Sequence, residues 1–308
     1  MFKEKISCCP ACGGQAIGFW LKKEKSGVIY DLWKCSTCQT GFMNPQPTKK
    51  FLASVYARSG HGLSEPISYP EVLRREEEYP NATVDSERLV SWAINYMGGG
   101  RNNQQYAIDI GSGFGFFSRA ALQSGFKVKS INPGKWENQV FAEMNGFSPI
   151  PAFFEDLDLQ GEKFDLVILS QVLEHIEKPY DFLVKIREII KPGGILAIAV
   201  PNVNSIFVKI LRDKDNGCLW VPEHLIHFSK LGLKALLSRT GFEIQRHIYL
   251  SRIPYFSLSN KLKLTGFKRN AVNFGVKVLQ YLPLKICNLT GTGIMHNLWA
   301  SPKNSQLP

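Results

Sequence analysis

The chain has 308 residues, 44% apolar and 12% aromatic, enough to bury the core of one large domain or two smaller ones, which excludes disorder over the whole length. Lys and Arg number 37 against 26 Asp and Glu, a net charge of +11, yet nine basic residues and no acid fall between Gln245 and Pro308. An excess confined to one C-terminal stretch argues for a local anionic partner, with phosphorylated substrate, membrane surface and RNA all open, rather than a nucleic-acid surface over the whole chain.

The first residues hold no apolar run of signal-peptide length and nothing later approaches 18 uninterrupted apolar residues, so a soluble, cytosolic protein is expected. Residues 1–48 carry five of the seven cysteines and end on Pro45-Gln46-Pro47. Residues 49–102 form a polar connector with helices expected over Glu71–Glu78 and, capped by Asp85 or Ser86, over Glu87–Met97. From 103 to 308 short apolar runs alternate with amphipathic segments, the pattern of a parallel sheet flanked by helices. Strands are expected at Tyr106–Ile110, Lys127–Ile131, Leu166–Ser170, Gly194–Val200, Phe242–Leu250 and Ile294–Ala300. Helices fit Gly115–Ser124, Trp136–Met144, Pro179–Ile190, Ser205–Arg212 and Lys230–Thr240. An insertion at 251–293 separates the last two strands, carries seven of the basic residues, and contains a helical stretch at Asn270–Leu282 with a broad apolar face.

Cys9-Pro10-Ala11-Cys12 and Cys35-Ser36-Thr37-Cys38 set out two pairs of thiols. Each pair can form a knuckle facing one point, and four such ligands suit a structural, tetrahedral zinc with no open position. Redox chemistry and unrelated thiols are the alternatives, and Cys8 could stand in for Cys9. Further on, Asp109-Ile110-Gly111-Ser112-Gly113-Phe114-Gly115 follows an apolar strand and opens a helix. Glycines there let a ligand approach the backbone closely, and the helix start favours negative charge. A dinucleotide loop would place a glycine where Phe116 stands, and a phosphate-binding Gly-Lys-Ser/Thr is absent.

The acid followed by Gly-x-Gly-x-Gly resembles motif I of class I S-adenosylmethionine-dependent methyltransferases. Phe164–His175, Lys191-Pro192-Gly193-Gly194 and Pro201-Asn202 resemble later motifs of that family. Pro222-Glu223-His224-Leu225-Ile226-His227-Phe228-Ser229, with the N-terminal cysteines, resembles its zinc-ribbon subgroup, the zinc-ribbon sugar methyltransferases. The resemblance implies a Rossmann-like α/β fold with a seven-stranded sheet, behind a small zinc ribbon. It implies that Gly111, Ser112, Gly113 and Gly115 cradle the methionine part of S-adenosylmethionine, while Asp109 fixes the loop or meets the amino group. The next strand should end in an acid that grips the ribose; Asn132 stands there and offers a weaker contact. Adenine would lie against Phe154 and Glu155, with core packing of the phenylalanine equally open. Ser170, Gln171 and Leu173 would line the methyl side.

By the same resemblance His224 is the candidate general base, oriented by Glu223, with a structural Glu-His pair as the alternative. The subgroup's Tyr two residues before the Glu is Val221 here. His175 is read as capping, packing or catalytic, and His227 as structural, at the first turn of the following helix. The absence of Asn/Asp-Pro-Pro-Tyr/Phe and of a Pro-Cys nucleophile argues against nucleic-acid acceptors. The expected reaction moves a methyl group to an oxygen or carbon of a small acceptor, a sugar, phosphorylated or lipid-linked saccharide. A tRNA or rRNA methyltransferase and a non-catalytic cofactor-binding scaffold are the alternatives. The insertion reads as a lid, a membrane or lipid-linked saccharide contact, an RNA surface or an oligomer interface, and the oligomeric state is left open.

Overall fold

A computed structural model describes residues 1–59, 67–98, 104–214, 217–251 and 262–303. The N-terminal strands β1 (Ile17–Lys25) and β2 (Val28–Cys35) form a hairpin across Ser26-Gly27, both with positive φ. That two-residue turn matches the twist of the strands it joins. Strand β3 (Gly41–Met43) pairs with β2 on one side and, on the other, with β8 (Ile226–His227), which comes from far along the chain. The four-stranded sheet is therefore closed by the segment carrying the Glu-His pair. His227 lies in this strand and not at a helical turn.

The main sheet runs β5 (Lys127–Ile131), β4 (Tyr106–Ile110), β6 (Phe164–Ser170), β7 (Ile190–Pro201), β10 (Met295–Pro302), β9 (Phe242–Leu250). The first four are parallel, and β10 runs antiparallel between β7 and β9. Six residues of Phe-Asp-Leu-Val-Ile-Leu-Ser in β6 are buried, as expected of a parallel strand covered on both faces. The expected seventh strand is absent among the described residues. Its place beside β5 is taken by a single parallel bridge between Ile131 and Ile150, because Ala152 N, the next donor in that register, turns back to Ile150 O at 2.9 Å.

One face is covered by α3 (Ala82–Tyr96) and α4 (Phe116–Gln123), where Leu89, Ala93 and Ala121 pack with Trp299, whose indole NH donates to Leu89 O at 2.8 Å. α3 starts earlier than Glu87, placing Asp85 in its first turn. The other face packs α6 (Pro179–Ile189), α8 (Lys230–Arg239) and the cysteine-bearing module into one apolar cluster. α1 (Lys49–Ser59), α2 (Tyr69–Glu78), α5 (Glu137–Asn145) and α7 (Ile206–Leu211) complete the periphery. A 24-residue helix α9 (Gly266–Leu289) occupies most of the insertion; Arg252 and Lys261 lie outside the described residues. No helix among the described residues is long and apolar enough to cross a membrane.

Candidate active site

The loop after β4 has Gly111, Gly113 and Gly115 at φ +71°, +51° and +92°, conformations that L side chains rarely adopt. They serve different ends. A Cβ on Gly111 would stand 2.5 Å from Val172 Cγ2, and one on Gly115 would stand 2.2 Å from Asn145 Nδ2. At Gly113 a Cβ would meet nothing within 4 Å. Beside it the Ser112 hydroxyl is buried without a hydrogen-bond partner. An open cradle with an orphaned hydroxyl suits a polar ligand, and the methionine portion of S-adenosylmethionine fits it.

Asp109 is buried at the end of β4 and accepts a hydrogen bond of 2.6 Å from Ser118 Oγ on α4. Burial pushes its carboxyl up to about 6, opposed by the Ser118 hydroxyl. The side chain thus ties strand to helix and holds the glycine loop from below. Asn132, at the end of β5, donates from Nδ2 to Asn138 Oδ1 at 2.7 Å, and Asn138 Nδ2 donates back to Asn132 O at 3.1 Å. An aspartate in place of Asn132 could not make the first of these bonds. A carboxylate is nevertheless present here, unforeseen in the sequence. Glu137 Oε2 lies 2.3 Å, and Asn132 Nδ2 3.1 Å, from the point where a Cβ on Gly134 would sit.

Of the two readings of Phe154, stacking on adenine and packing in the core, the structure has the second, with the ring edge-on to Phe182 at 5.2 Å. Its neighbour Phe153 is the exposed ring. The short 3-10 turn Phe154–Asp156 is clamped by Lys185 Nζ, which donates to Phe154 O, Glu155 O and Leu157 O at 2.7 to 2.9 Å. The Glu155 side chain is exposed. Ser170 is half-buried at the end of β6, followed by Gln171 at φ +57°, held by its amide to Ala199 O at 2.8 Å. A non-glycine residue in that region is strained, and here the turn brings the next residues under the glycine loop.

Those next residues form a 3-10 turn, Leu173–His175, and meet the Pro222–Phe228 segment. Leu225 N donates to Glu174 O at 2.8 Å, and His175 Nδ1 bonds to Glu223 O at 2.8 Å. The His175 and His224 rings stand edge-on with centroids 4.8 Å apart. Glu174, His175 and His224 each bring a ligand-type atom within 4.8 Å of the others. Both Glu174 carboxylate oxygens and His224 Nδ1 are buried without hydrogen-bond partners. Burial pushes the Glu174 carboxyl up to about 8, and burial with the neighbouring His175 and His227 holds His224 well below the usual imidazole value. Near neutrality the cluster is therefore uncharged at Glu174 and at His224.

Glu223 does not orient His224. Its carboxylate takes Lys25 Nζ at 3.0 and 3.1 Å, and that ammonium sits 4.3 Å from the centre of the Trp220 ring. Glu223 bears on the cluster through its carbonyl, which fixes His175. Glu174 was not anticipated as a site residue; it lies four residues after β6, in the 3-10 turn beside His175.

Cys9, Cys12, Cys35 and Cys38 converge with all four sulfurs within 4.8 Å, and Cys9–Cys38 and Cys12–Cys35 at 3.6 Å. Zinc–sulfur bonds of about 2.3 Å place tetrahedral sulfurs about 3.8 Å apart, so the donor set fits zinc. The hydrogen bond from Cys9 pulls Cys38 down to about 5, while the same contact and burial push Cys9 up. Cys218 and Cys287 form no disulfide, and Cys218 Sγ lies 3.4 Å from Ser205 Oγ and donates to Ile294 O at 3.5 Å.

A doubly wound sheet with a glycine loop at its first strand and a polar cluster at the end of the next parallel strand defines a class I methyltransferase. Residues 85–247, more than half of the chain, match the family described as a methyltransferase domain, and the chain belongs to that family as an S-adenosylmethionine-dependent methyltransferase. The ubiquinone biosynthesis O-methyltransferase of Roseobacter denitrificans is 28% identical over 146 residues, 44% of this chain and 59% of that protein. Its namesake from Cereibacter sphaeroides is 25% identical over 198 residues, covering 62% and 78%. A SAM-dependent methyltransferase of Archaeoglobus fulgidus superposes with a TM-score of 0.47 at 17% identity, over 75% of this chain and 99% of that one.

Proposed function

We propose that this methyltransferase moves a methyl group to an oxygen or carbon of a small acceptor, a sugar or saccharide-linked metabolite, bound between the Gly113 cradle and the Glu174–His175–His224 cluster. The observation that carries the reading is the buried His224 Nδ1 without a partner, one residue from the carbonyl that fixes His175. The O-methyltransferase names of the two relatives favour oxygen as the methylated atom. When bound, S-adenosylmethionine supplies an electrophilic methyl group. Gly111, Ser112, Gly113 and Gly115 hold its methionine part, and Asn132 with the Glu137 carboxylate faces its ribose. Ser170 and Gln171 line the methyl side. His224 Nδ1 accepts the proton that the acceptor loses, and neutral Glu174 keeps a second charge out of the cluster. Cys9, Cys12, Cys35 and Cys38 hold a structural zinc that supports this segment through β3 and β8.

The test is transfer of a labelled methyl group to candidate saccharides by purified protein, with His224→Ala beside it. Labelled product from the wild type and a loss of about a hundredfold or more in the variant are expected for a missing base. Wild-type turnover in the variant would remove His224 from the mechanism. A wild type that binds the cofactor and methylates no saccharide would remove the acceptor class.

A further inference from the structure

Helix α9 presents large apolar side chains to its exposed side as well as to the side against the molecule. None of its 24 residues is buried. The half-buried face against the molecule holds Val272, Val276 and Leu284 together with Asn273, Gln280 and Asn288, and the Asn273 and Asn288 side-chain oxygens are enclosed there without partners. The outward positions hold large apolar side chains: Phe267 is 87% exposed, Leu279 78% and Leu289 79%, with Phe274, Val278 and Leu282 more than half exposed. Phe267, Phe274, Val278 and Leu282 recur at spacings of seven and four, so they share a stripe. Lys268, Lys277 and Lys285 are exposed on the same helix, and no acid occurs anywhere between Gln245 and Pro308.

The helix is anchored at both ends. Arg269 reaches Glu78 on α2 at 3.5 Å, and beyond the C-terminus Asn202 Nδ2 donates to Gly291 O and Gly293 O at 3.2 and 2.8 Å. Asn202 follows β7, beside the strand end that carries Gln171. The stripe is therefore held in place at the edge of the sheet where the site lies.

An outward stripe of phenylalanine and leucine flanked only by cations is complementary to a bilayer surface that combines anionic headgroups with accessible acyl chains. A second copy would bring lysine against lysine across the contact, and a nucleic acid would leave the apolar stripe in water. We propose that α9 is an interfacial helix that docks the protein on membranes containing anionic lipid, with Phe274, Val278 and Leu282 at acyl depth and Lys268, Lys277 and Lys285 at the phosphates. This placement holds whatever the acceptor is.

The full-length protein is to be floated with phosphatidylcholine vesicles and with vesicles of phosphatidylcholine and phosphatidylglycerol, and its mass in solution measured by light scattering. Binding to the second kind, weakened by salt and much weaker on the first, is expected. At about a fivefold gain per basic residue near an anionic surface, Lys268→Gln, Lys277→Gln and Lys285→Gln together lose on the order of a hundredfold. Phe274→Glu with Leu282→Glu, at exposed positions that leave the far-UV spectrum unchanged, abolishes binding. No binding to either vesicle, or binding that survives both sets of substitutions, overturns the proposal. So does a dimer that the Phe274→Glu, Leu282→Glu pair converts to monomer, since the stripe would then belong to a second copy.

Discussion

A methyl group added at Gly113 has room, whereas one at Gly115 would press on Asn145 and on Phe141 at 2.6 Å. Gly113→Ala is expected to keep the fold at a cost of about 1 to 2 kcal/mol for its left-handed backbone, and to lose cofactor affinity by calorimetry. Gly115→Ala is expected to fail earlier, as a lowered melting temperature without cofactor. Equal melting of the two variants would contradict the division of roles. Glu174 makes a second prediction. Its folded carboxyl holds a proton up to about pH 8 against 4.5 for an ordinary glutamate, so its contribution is complete below 4.5 and is lost as pH rises towards 8. Glu174→Gln should therefore gain melting temperature relative to wild type across that interval, and a pH-independent difference would argue against a buried acid. The cluster's other ring, His224, moves the opposite way and loses its contribution as pH falls below the ordinary imidazole value. The glycines were legible because their loop follows an apolar strand. Phe154 was not, because Phe153 and Phe154 are identical in type and only the fold decides which ring turns inward.

At the scale of elements, the cysteine module and helix α8 meet at one serine. Ser229 caps α8 by accepting from Gly232 N at 2.9 Å, bonds Thr40 Oγ1 at 3.3 Å, and donates to Cys38 O. With the proposed zinc at the four thiols, a chelator or Cys38→Ser should lower both the melting temperature and turnover, although the thiols touch no reactant. Ser229→Ala should leave zinc content by mass spectrometry unchanged while costing about 1 kcal/mol in denaturant unfolding. If turnover survives zinc removal intact, the module does not position the cluster. The parallel strands β4 and β6 could be read from their apolar runs. β8 could not: two residues carry no periodicity, and their pairing with β3 is a tertiary event. The edge strand expected beside β5 stops at one bridge among the described residues because Ala152 N bonds back to Ile150 O, a local turn that the family pattern does not show.

For the molecule as a whole, the surplus charge sits on the insertion and the cofactor loop lies in the apolar sheet, a division already visible in the count of basic residues. The connection between the N-terminal sheet and the rest was not visible, since it depends on contacts 189 positions apart, such as Thr40 with Ser229. A chain starting at residue 49 would leave β8 without its partner and Leu225 without Met43 N, which donates to its carbonyl at 3.0 Å. Such a truncation should be insoluble or lack a cooperative melt, and a cooperative transition near that of the full chain would show the parts to be independent. The late arrival of β8 also sets an order of events during synthesis. At about 5 to 20 residues per second, the cysteine strands wait roughly ten to forty seconds for Ile226 and His227 to be made. For that time their thiols are open to capture by an ion, by oxidant or by each other. The pairing of β3 with β8 is thus a clock as well as a joint: the ribosome's pace decides how long the four thiols stand together before β8 arrives to complete the sheet.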